Sequence, residues 1–292
     1  MRVLIVGCGY IGLPLGAELS RQGHAVVGLS RGHSRDDELR AAGINPIHGD
    51  VSRAEDVRAI AGPFDWIVNC VSTRGGSISD YRRVYLQGMR NLLERLADAP
   101  LERFVYTSST SVYGQKDGSQ VDEQSPTEPD SETGRILLET ERLLVEAARD
   151  RGFPGVILRL SGIYGPGRGY WLQKAMREEW PAEIESGRII NQIHRDDVIG
   201  CVQAAIQRGR PGSIYNATDD EPVRLAELLE WLAGELGRST PRKNFSRGGS
   251  AASGEGGGKH VSNRKLKQEL GYQFVHPSFR EGYGAELNRR RS

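Results

Sequence analysis

The sequence predicts an α/β fold, a doubly wound parallel sheet with a smaller C-terminal lobe. Three observations carry this. Short apolar runs alternate with amphipathic segments through the first two thirds of the 292 residues. A glycine-rich turn, GCGYIGLPLG at 7–16, follows the first run directly. The later chain is more mixed, with shorter strands and helices. Nearly continuous apolar strands separated by helices indicate a parallel sheet covered on both faces.

VLIV (3–6) is the first strand, and a helix runs from it to about Gln22. AVVGL (25–29) comes next, then a polar segment in which Asp36 and Asp37 belong to a following helix. WIVNCV (66–71) precedes a long helix from about Asp80 to Leu96. RFVYTSS (103–109) precedes TGRILLETERLL (133–144), where Leu137, Leu138, Leu144 and then Val145 recur at helical spacing. GVILRL (155–160) is a further strand. RIINQIH (188–194) and SIYNA (213–217) read as strands. DDVIGCVQAAIQ and PVRLAELLEWLAGEL read as helices, the second ending at Gly237. SRGGSAASGEGGGKH (246–260) reads as a mobile loop.

Composition narrows the function classes. The net charge of +1 gives no electrostatic reason to expect nucleic acid or an anionic membrane as partner. No apolar run approaches the roughly 20 residues of a membrane span, and RVLIVG begins without a signal peptide. Cys8, Cys70 and Cys201 are odd in number and far apart, which points to a reducing cytoplasm. The six histidines have no metal-ligand spacing, so no metal is expected.

Gly7, Gly9 and Gly12, with Tyr10 and Ile11 between them, form G-x-G-x-x-G between a strand and a helix. That context makes the motif a dinucleotide-binding loop. The first glycine permits the turn, the second lets backbone approach a pyrophosphate, and the third lets helix and strand pack. At the end of the second strand an acid would hold the ribose of NAD. Ser30 and Arg31 stand there instead, with Arg35 a second candidate, so NADP is favoured over NAD.

Six ordered segments carry a family resemblance: GCGYIGLPLG, HGDV (48–51), YTSSTSVYG (106–114), RLSGIYGPGR (159–168), IHRDDV (193–198) and SIYNATDDEP (213–222). Over nearly the whole chain they resemble the extended short-chain dehydrogenase/reductases, the NAD-dependent epimerase/dehydratase family. The resemblance implies a Rossmann domain at 1–165 plus about 189–220, and a substrate lobe at 166–188 and 221–292. It implies that Asp50 and Val51 border the adenine, and that Val71 and Ser72 pass near the ribose and pyrophosphate. Thr107 and Ser108 would lie by the nicotinamide, and Ser109 would be the catalytic Ser/Thr. Gly162, Ile163 and Tyr164 would border nicotinamide and substrate. Nucleotide sugars are common substrates in the family, and relatives often form homodimers through helices corresponding here to about 80–97 and 132–150.

The helix at 133 departs from the family. Its usual Tyr-x-x-x-Lys becomes Thr133 and Leu137, while Gly134 and Glu141 still match. A Thr hydroxyl cannot take the place of a phenol as acid/base, and Leu137 carries no charge to tune one. Tyr85 replaces a family Asn. Three readings follow: an enzyme with a substitute acid (Tyr113 first, then Tyr85 or Tyr164), an enzyme whose substrate or water supplies the proton, or a non-catalytic NADP(H)-binding sensor or scaffold. His194 reads as structural, Asp196 or Asp197 as a helix cap, Arg159 as an anchor for a carboxylate or the loop, and Arg168 as a contact for a substrate phosphate.

Overall fold

A computed structural model describes residues 1–73, 75–181, 184–185, 187–239, 245–246 and 257–291. The sheet has seven strands: β1 Arg2–Val6, β2 Ala25–Ser30, β3 Ile44–His48, β4 Trp66–Asn69, β5 Arg103–Ser109, β6 Gly155–Leu160 and β7 Ile214–Ala217. Their spatial order is β7-β6-β5-β4-β1-β2-β3. The pairs β3–β2, β2–β1, β1–β4 and β4–β5 are parallel. Leaving β1 to one side for β2 and to the other for β4 makes the sheet doubly wound, as predicted.

The strands read as apolar runs because helices cover both faces. Val3 to Val6 of β1 are all buried, and every residue of β6 is buried. The helices are α1 Gly12–Arg21, α2 Asp36–Ala41, α3 Ala54–Arg58, α4 Ile78–Tyr81, α5 Gly88–Arg95, α6 Glu132–Arg151, α7 Tyr170–Met176, α8 Arg195–Arg208, α9 Leu225–Glu235, α10 Arg264–Leu270 and α11 Phe279–Arg291. No helix of the described residues is long and apolar enough to cross a membrane.

Local chemistry sets the limits of α6. Ser131 Oγ accepts from the Gly134 N–H at 3.1 Å, and Gly152 closes the helix at φ 65°. The expected helix from Asp80 to Leu96 is interrupted: Arg82–Gln87 winds as a π-helix between α4 and α5. A single π turn shifts the helical phase, so apolar periodicity read from sequence smooths over it.

The chain forms two compact units. The first comprises Met1–Val112, Pro129–Arg159 and Ile199–Tyr215, and the second Tyr113–Glu128, Leu160–Val198 and Asn216–Ser292. The second has its own core, in which Tyr164, Leu172, Leu228, Leu232, Phe279 and Tyr283 pack together. The strand Gly258–Val261 pairs with Asp117–Val121 in that unit. Residues 247–256 of the expected loop at 246–260 lie outside the described residues.

Candidate active site

In the first unit, β1 delivers the chain to the glycine loop. Gly7 sits at φ 98°, a conformation that side chains disfavour, and a Cβ there would lie 2.9 Å from Val71 Cα. A Cβ on Gly12 would lie 2.2 Å from the Gly7 carbonyl oxygen, so α1 approaches the loop as only glycine allows. A Cβ on Gly9 would meet nothing within 4 Å. Packing therefore requires the first and third glycines and leaves the second facing open space. Ile11 is buried and Tyr10 half-buried beside it. Cys70 Sγ lies 3.2 Å from the Gly7 carbonyl and backs the loop. Burial pushes the Cys8 thiol up to about 12, against the opposing charge of Arg35, so it is not a nucleophile at neutral pH.

At the end of β2, Ser30 Oγ donates to the Gly32 carbonyl at 3.1 Å, and Arg31 is exposed. Arg35 is committed elsewhere: its Nη1 donates to the Cys8 carbonyl at 2.8 Å and its Nε pairs with Glu38 at 2.6 Å. It braces the glycine loop. Asp50 accepts from the Ser52 amide and hydroxyl at 2.9 and 2.7 Å. Burial pushes its carboxyl up, and the Ser52 bonds with Arg31 and Arg83 outweigh that, leaving it below the ordinary value. Val51 is buried, and its carbonyl accepts from Asn91 at 3.0 Å. Val71 and Ser72 follow β4. Near them, Asn69 Oδ1 and Thr73 Oγ1 are buried without a hydrogen-bond partner among the described residues. Such orphaned groups are costly unless a ligand or water meets them.

At the end of β5, Thr107 Oγ1 donates to the Asn69 carbonyl at 3.4 Å. Ser108 turns inward: its Oγ donates to Glu141 Oε1 at 2.6 Å, and Arg159 pairs with the same carboxylate at 2.7 Å. Arg159 is thus anchored to a carboxylate, and the Ser108 hydroxyl is occupied in the core. Ser109 is half-buried, and its Oγ accepts from the Ser111 N–H at 3.1 Å. A Cβ on Gly134 would lie 3.0 Å from the Ser111 carbonyl, so α6 approaches this turn closely. Thr133 Oγ1 donates to Ser131 Oγ at 3.2 Å, and Leu137 is buried. Tyr85 lies in the π-helical turn, its ring 5.0 Å from that of Tyr81. Tyr81 was not singled out from sequence; its spacing of four from Tyr85 was the available signal.

The second unit holds two of the candidate acids. Tyr113 is 2% exposed, and its hydroxyl donates to Asn216 Oδ1 at 2.9 Å. Lys259 Nζ donates to the Tyr113 carbonyl, and the Asn216 amide donates to Glu123 at 2.7 Å. Tyr113 thus ties three segments together, and its hydroxyl is held by Asn216. Tyr164 is 1% exposed and stacks on Tyr283 at 4.3 Å. A Cβ on Gly282 would lie 1.9 Å from its hydroxyl, and burial raises its pKa far above the ordinary value. Tyr164 packs in the core of this unit. Gly162 and Ile163 pair in register with Gln192 and Ile193. Arg168 is exposed beyond the Gly165–Arg168 turn. Sequence reasoning missed Asp219, whose Oδ2 is buried without a partner among the described residues and whose carboxyl pKa is raised by burial well above the usual range.

Asp197 does not cap α8. Its carboxylate accepts from the Tyr272 hydroxyl at 2.8 Å, the Val275 and His276 amides at 2.7 and 3.0 Å, and His276 Nδ1 at 3.1 Å. His194, fully buried, accepts the Asp196 N–H at Nδ1 and meets Glu286 at Nε2. Burial and the neighbouring His276 lower the His194 pKa, against Glu286 and Asp196; Arg289 pairs with both of those carboxylates. Because the folded ring stays neutral below the ordinary value of about 6.5, the unfolded chain takes up the proton first as pH falls. Stability of this unit should therefore fall between about pH 7 and pH 5. Denaturation midpoints across that range check it: His194→Gln should flatten the slope, and an unchanged slope would assign the loss elsewhere.

A family model described as the NAD dependent epimerase/dehydratase family matches residues 3–217. That span runs from β1 through the glycine loop to β7. The chain belongs to this family. Among curated epimerase/dehydratase relatives, Protein YeeZ of Escherichia coli is 28% identical over 94% of this chain and 96% of its own. A 3-diazoavenalumate denitrifying reductase of Streptomyces is 27% identical over 98% of this chain and 100% of its own. A solved structure described as an NAD-dependent epimerase/dehydratase of Methylobacillus flagellatus is 34% identical, with a TM-score of 0.80 over 100% of this chain and 99% of that one. UDP-glucuronic acid 4-epimerase of Bacillus cereus, solved with NAD, shares the fold at a TM-score of 0.81 and 23% identity, over 99% of this chain and 96% of that one. Membership places the chain among nicotinamide-dependent oxidoreductase and epimerase enzymes. The family's Tyr and Lys positions are nevertheless Thr133 and Leu137.

Proposed function

We propose that this enzyme binds NADP(H) in preference to NAD(H) on the glycine loop, and acts as an oxidoreductase or epimerase on a small or nucleotide-linked, sugar-like substrate. The observation that carries the reading is the open face at Gly9, set between two glycines that packing requires. The orphaned Asn69 and Thr73 atoms after β4 fit the same ligand. When bound, the dinucleotide supplies or accepts the hydride. The chain's own part is to hold it and to manage the proton. Gly7, Gly9, Tyr10, Ile11 and Gly12 would hold the pyrophosphate, Asp50 and Val51 the adenine, and Val71 and Ser72 the adjoining ribose. Thr107 and the Ser108 backbone would line the nicotinamide end.

The exposed Arg31 beside Ser30 supports the NADP preference, since neither of these two positions at the end of β2 is acidic and Arg35 is already held. Arg31→Ala should weaken NADP(H) binding by about 1.5–3 kcal/mol, the range for a charged hydrogen bond. NAD(H) affinity should hold. Calorimetry with both cofactors checks this, and an equal loss for both would remove the phosphate contact.

With Tyr113 and Tyr164 committed to packing, Tyr85 is the remaining candidate acid, beside Tyr81 in the π-helical turn. Ser109 would orient the substrate oxygen. General acid–base help is worth roughly 10²–10⁴-fold. Tyr85→Phe should lose about that much turnover and keep NADPH binding, assayed over a panel of carbonyl and nucleotide-sugar substrates. Full activity in Tyr85→Phe would leave substrate or water as the proton source. The replaced Tyr–Lys pair favours a second reading, a non-catalytic NADP(H) sensor or scaffold; a wild type that binds NADPH and turns over nothing on the panel would support it.

A further inference from the structure

The histidines have no metal-ligand spacing along the chain, yet the fold gathers His33, Asp36 and His48 with one ligand atom from each within 4.8 Å of the others. His33 lies in the loop after β2, Asp36 is the first residue of α2, and His48 ends β3. His33 Nδ1 stands 3.3 Å from Asp36 Oδ2, and His48 Nε2 stands 3.2 Å from the same oxygen. The imidazole rings are 3.7 Å apart between centroids.

We propose that these three residues bind a divalent transition metal of the zinc class. The spacing supports it. Ligand atoms about 2.0–2.2 Å from a tetrahedral centre are roughly 3.3–3.6 Å from one another, close to the His33–Asp36 and His48–Asp36 separations, with all three ligand atoms within 4.8 Å. The hydrogen-bonding pattern supports it independently. Both rings converge on Oδ2, while Asp36 Oδ1 is buried with no partner among the described residues. Two imidazoles and one carboxylate suit zinc, cobalt or nickel, whereas calcium and magnesium prefer all-oxygen sets.

The surrounding charges permit a cation. Arg40 Nη2 is 3.5 Å from Asp36 Oδ2, but this exposed side chain also pairs with Asp37 at 3.2 Å and can remain there. Arg35 is bound to Glu38 and the Cys8 carbonyl. His33 is 77% exposed in its side chain, so the fourth coordination position faces water. The buried trio His194, Asp197 and His276 is also within reach of a common point, but four hydrogen bonds already occupy the Asp197 carboxylate. A metal at His33–Asp36–His48 would join the start of α2 to the end of β3 and fix the intervening loop end.

The test is a cobalt titration of untagged, chelator-treated protein in the absence of any dinucleotide, so its outcome is separate from the cofactor reading. The expected result is a visible Co²⁺ d–d band saturating at one equivalent and bleached by Zn²⁺. His33→Ala, on an exposed side chain, and Asp36→Asn should each weaken cobalt binding by at least the roughly 10–100-fold that outer-shell changes cost. His24→Ala should leave it unchanged. Absence of a stoichiometric band overturns the proposal, as does a band that survives His33→Ala combined with His48→Gln. A band lost only in His24→Ala moves the cation elsewhere and overturns it too.

Discussion

Gly9→Val is expected to abolish dinucleotide binding while leaving a folded protein. The three loop glycines look alike in sequence and differ in surroundings. A Cβ on Gly7 or Gly12 collides with backbone at 2.9 and 2.2 Å, so substitutions there would damage the fold and reveal little about ligands. A Cβ on Gly9 meets nothing of the protein within 4 Å, and no positive φ strains it. Two further methyl groups would stand in the space through which a pyrophosphate reaches the loop. Circular dichroism and the denaturation midpoint should match wild type, and calorimetry with NADPH and NADH should show no binding. Retained affinity would make the loop structural only and remove the basis of the proposed function.

The second large effect belongs to the ion pair beneath the site. Glu141→Ala is expected to cost about 3–5 kcal/mol, because it takes a buried carboxylate partner away from the Arg159 guanidinium in the interior. Arg159 and Glu141 are 3% and 2% exposed in their side chains, so water cannot replace the lost partner. The substitution also removes the acceptor of the Ser108 hydroxyl. Guanidinium denaturation would measure the loss. Glu141→Leu combined with Arg159→Met should recover most of it, since apolar groups of similar volume often replace a buried pair at little cost. A Glu141→Ala variant within about 1 kcal/mol of wild type would mean that the pair is solvated and does not hold the end of β5, contrary to this account.

Much of the architecture was legible in the residues alone. Apolar runs such as VLIV and GVILRL announce buried parallel strands, because a strand covered on both faces leaves no polar alternation. The glycine loop was legible because its spacing and its strand-to-helix setting are local. The missing acid/base pair was legible too, since Gly134 and Glu141 hold the register around Thr133 and Leu137.

Other features required the tertiary structure. Tyr113, Tyr85 and Tyr164 are equivalent as letters; what separates them is distant chain, Asn216 against one hydroxyl and Tyr283 against another ring. The Ser108–Glu141–Arg159 network joins two strands and a helix, and local periodicity carries no information about such pairings. The π-helical turn under Tyr85 changes helical phase without changing composition. His48 reaches Asp36 only because β3 lies beside β2 in the sheet. Sequence by itself determined the periodicities and the loop chemistry, which depend on neighbours a few residues away. Tertiary structure alone decided which polar groups are buried, and beside what, because burial and pairing depend on segments that meet only when the sheet closes its core.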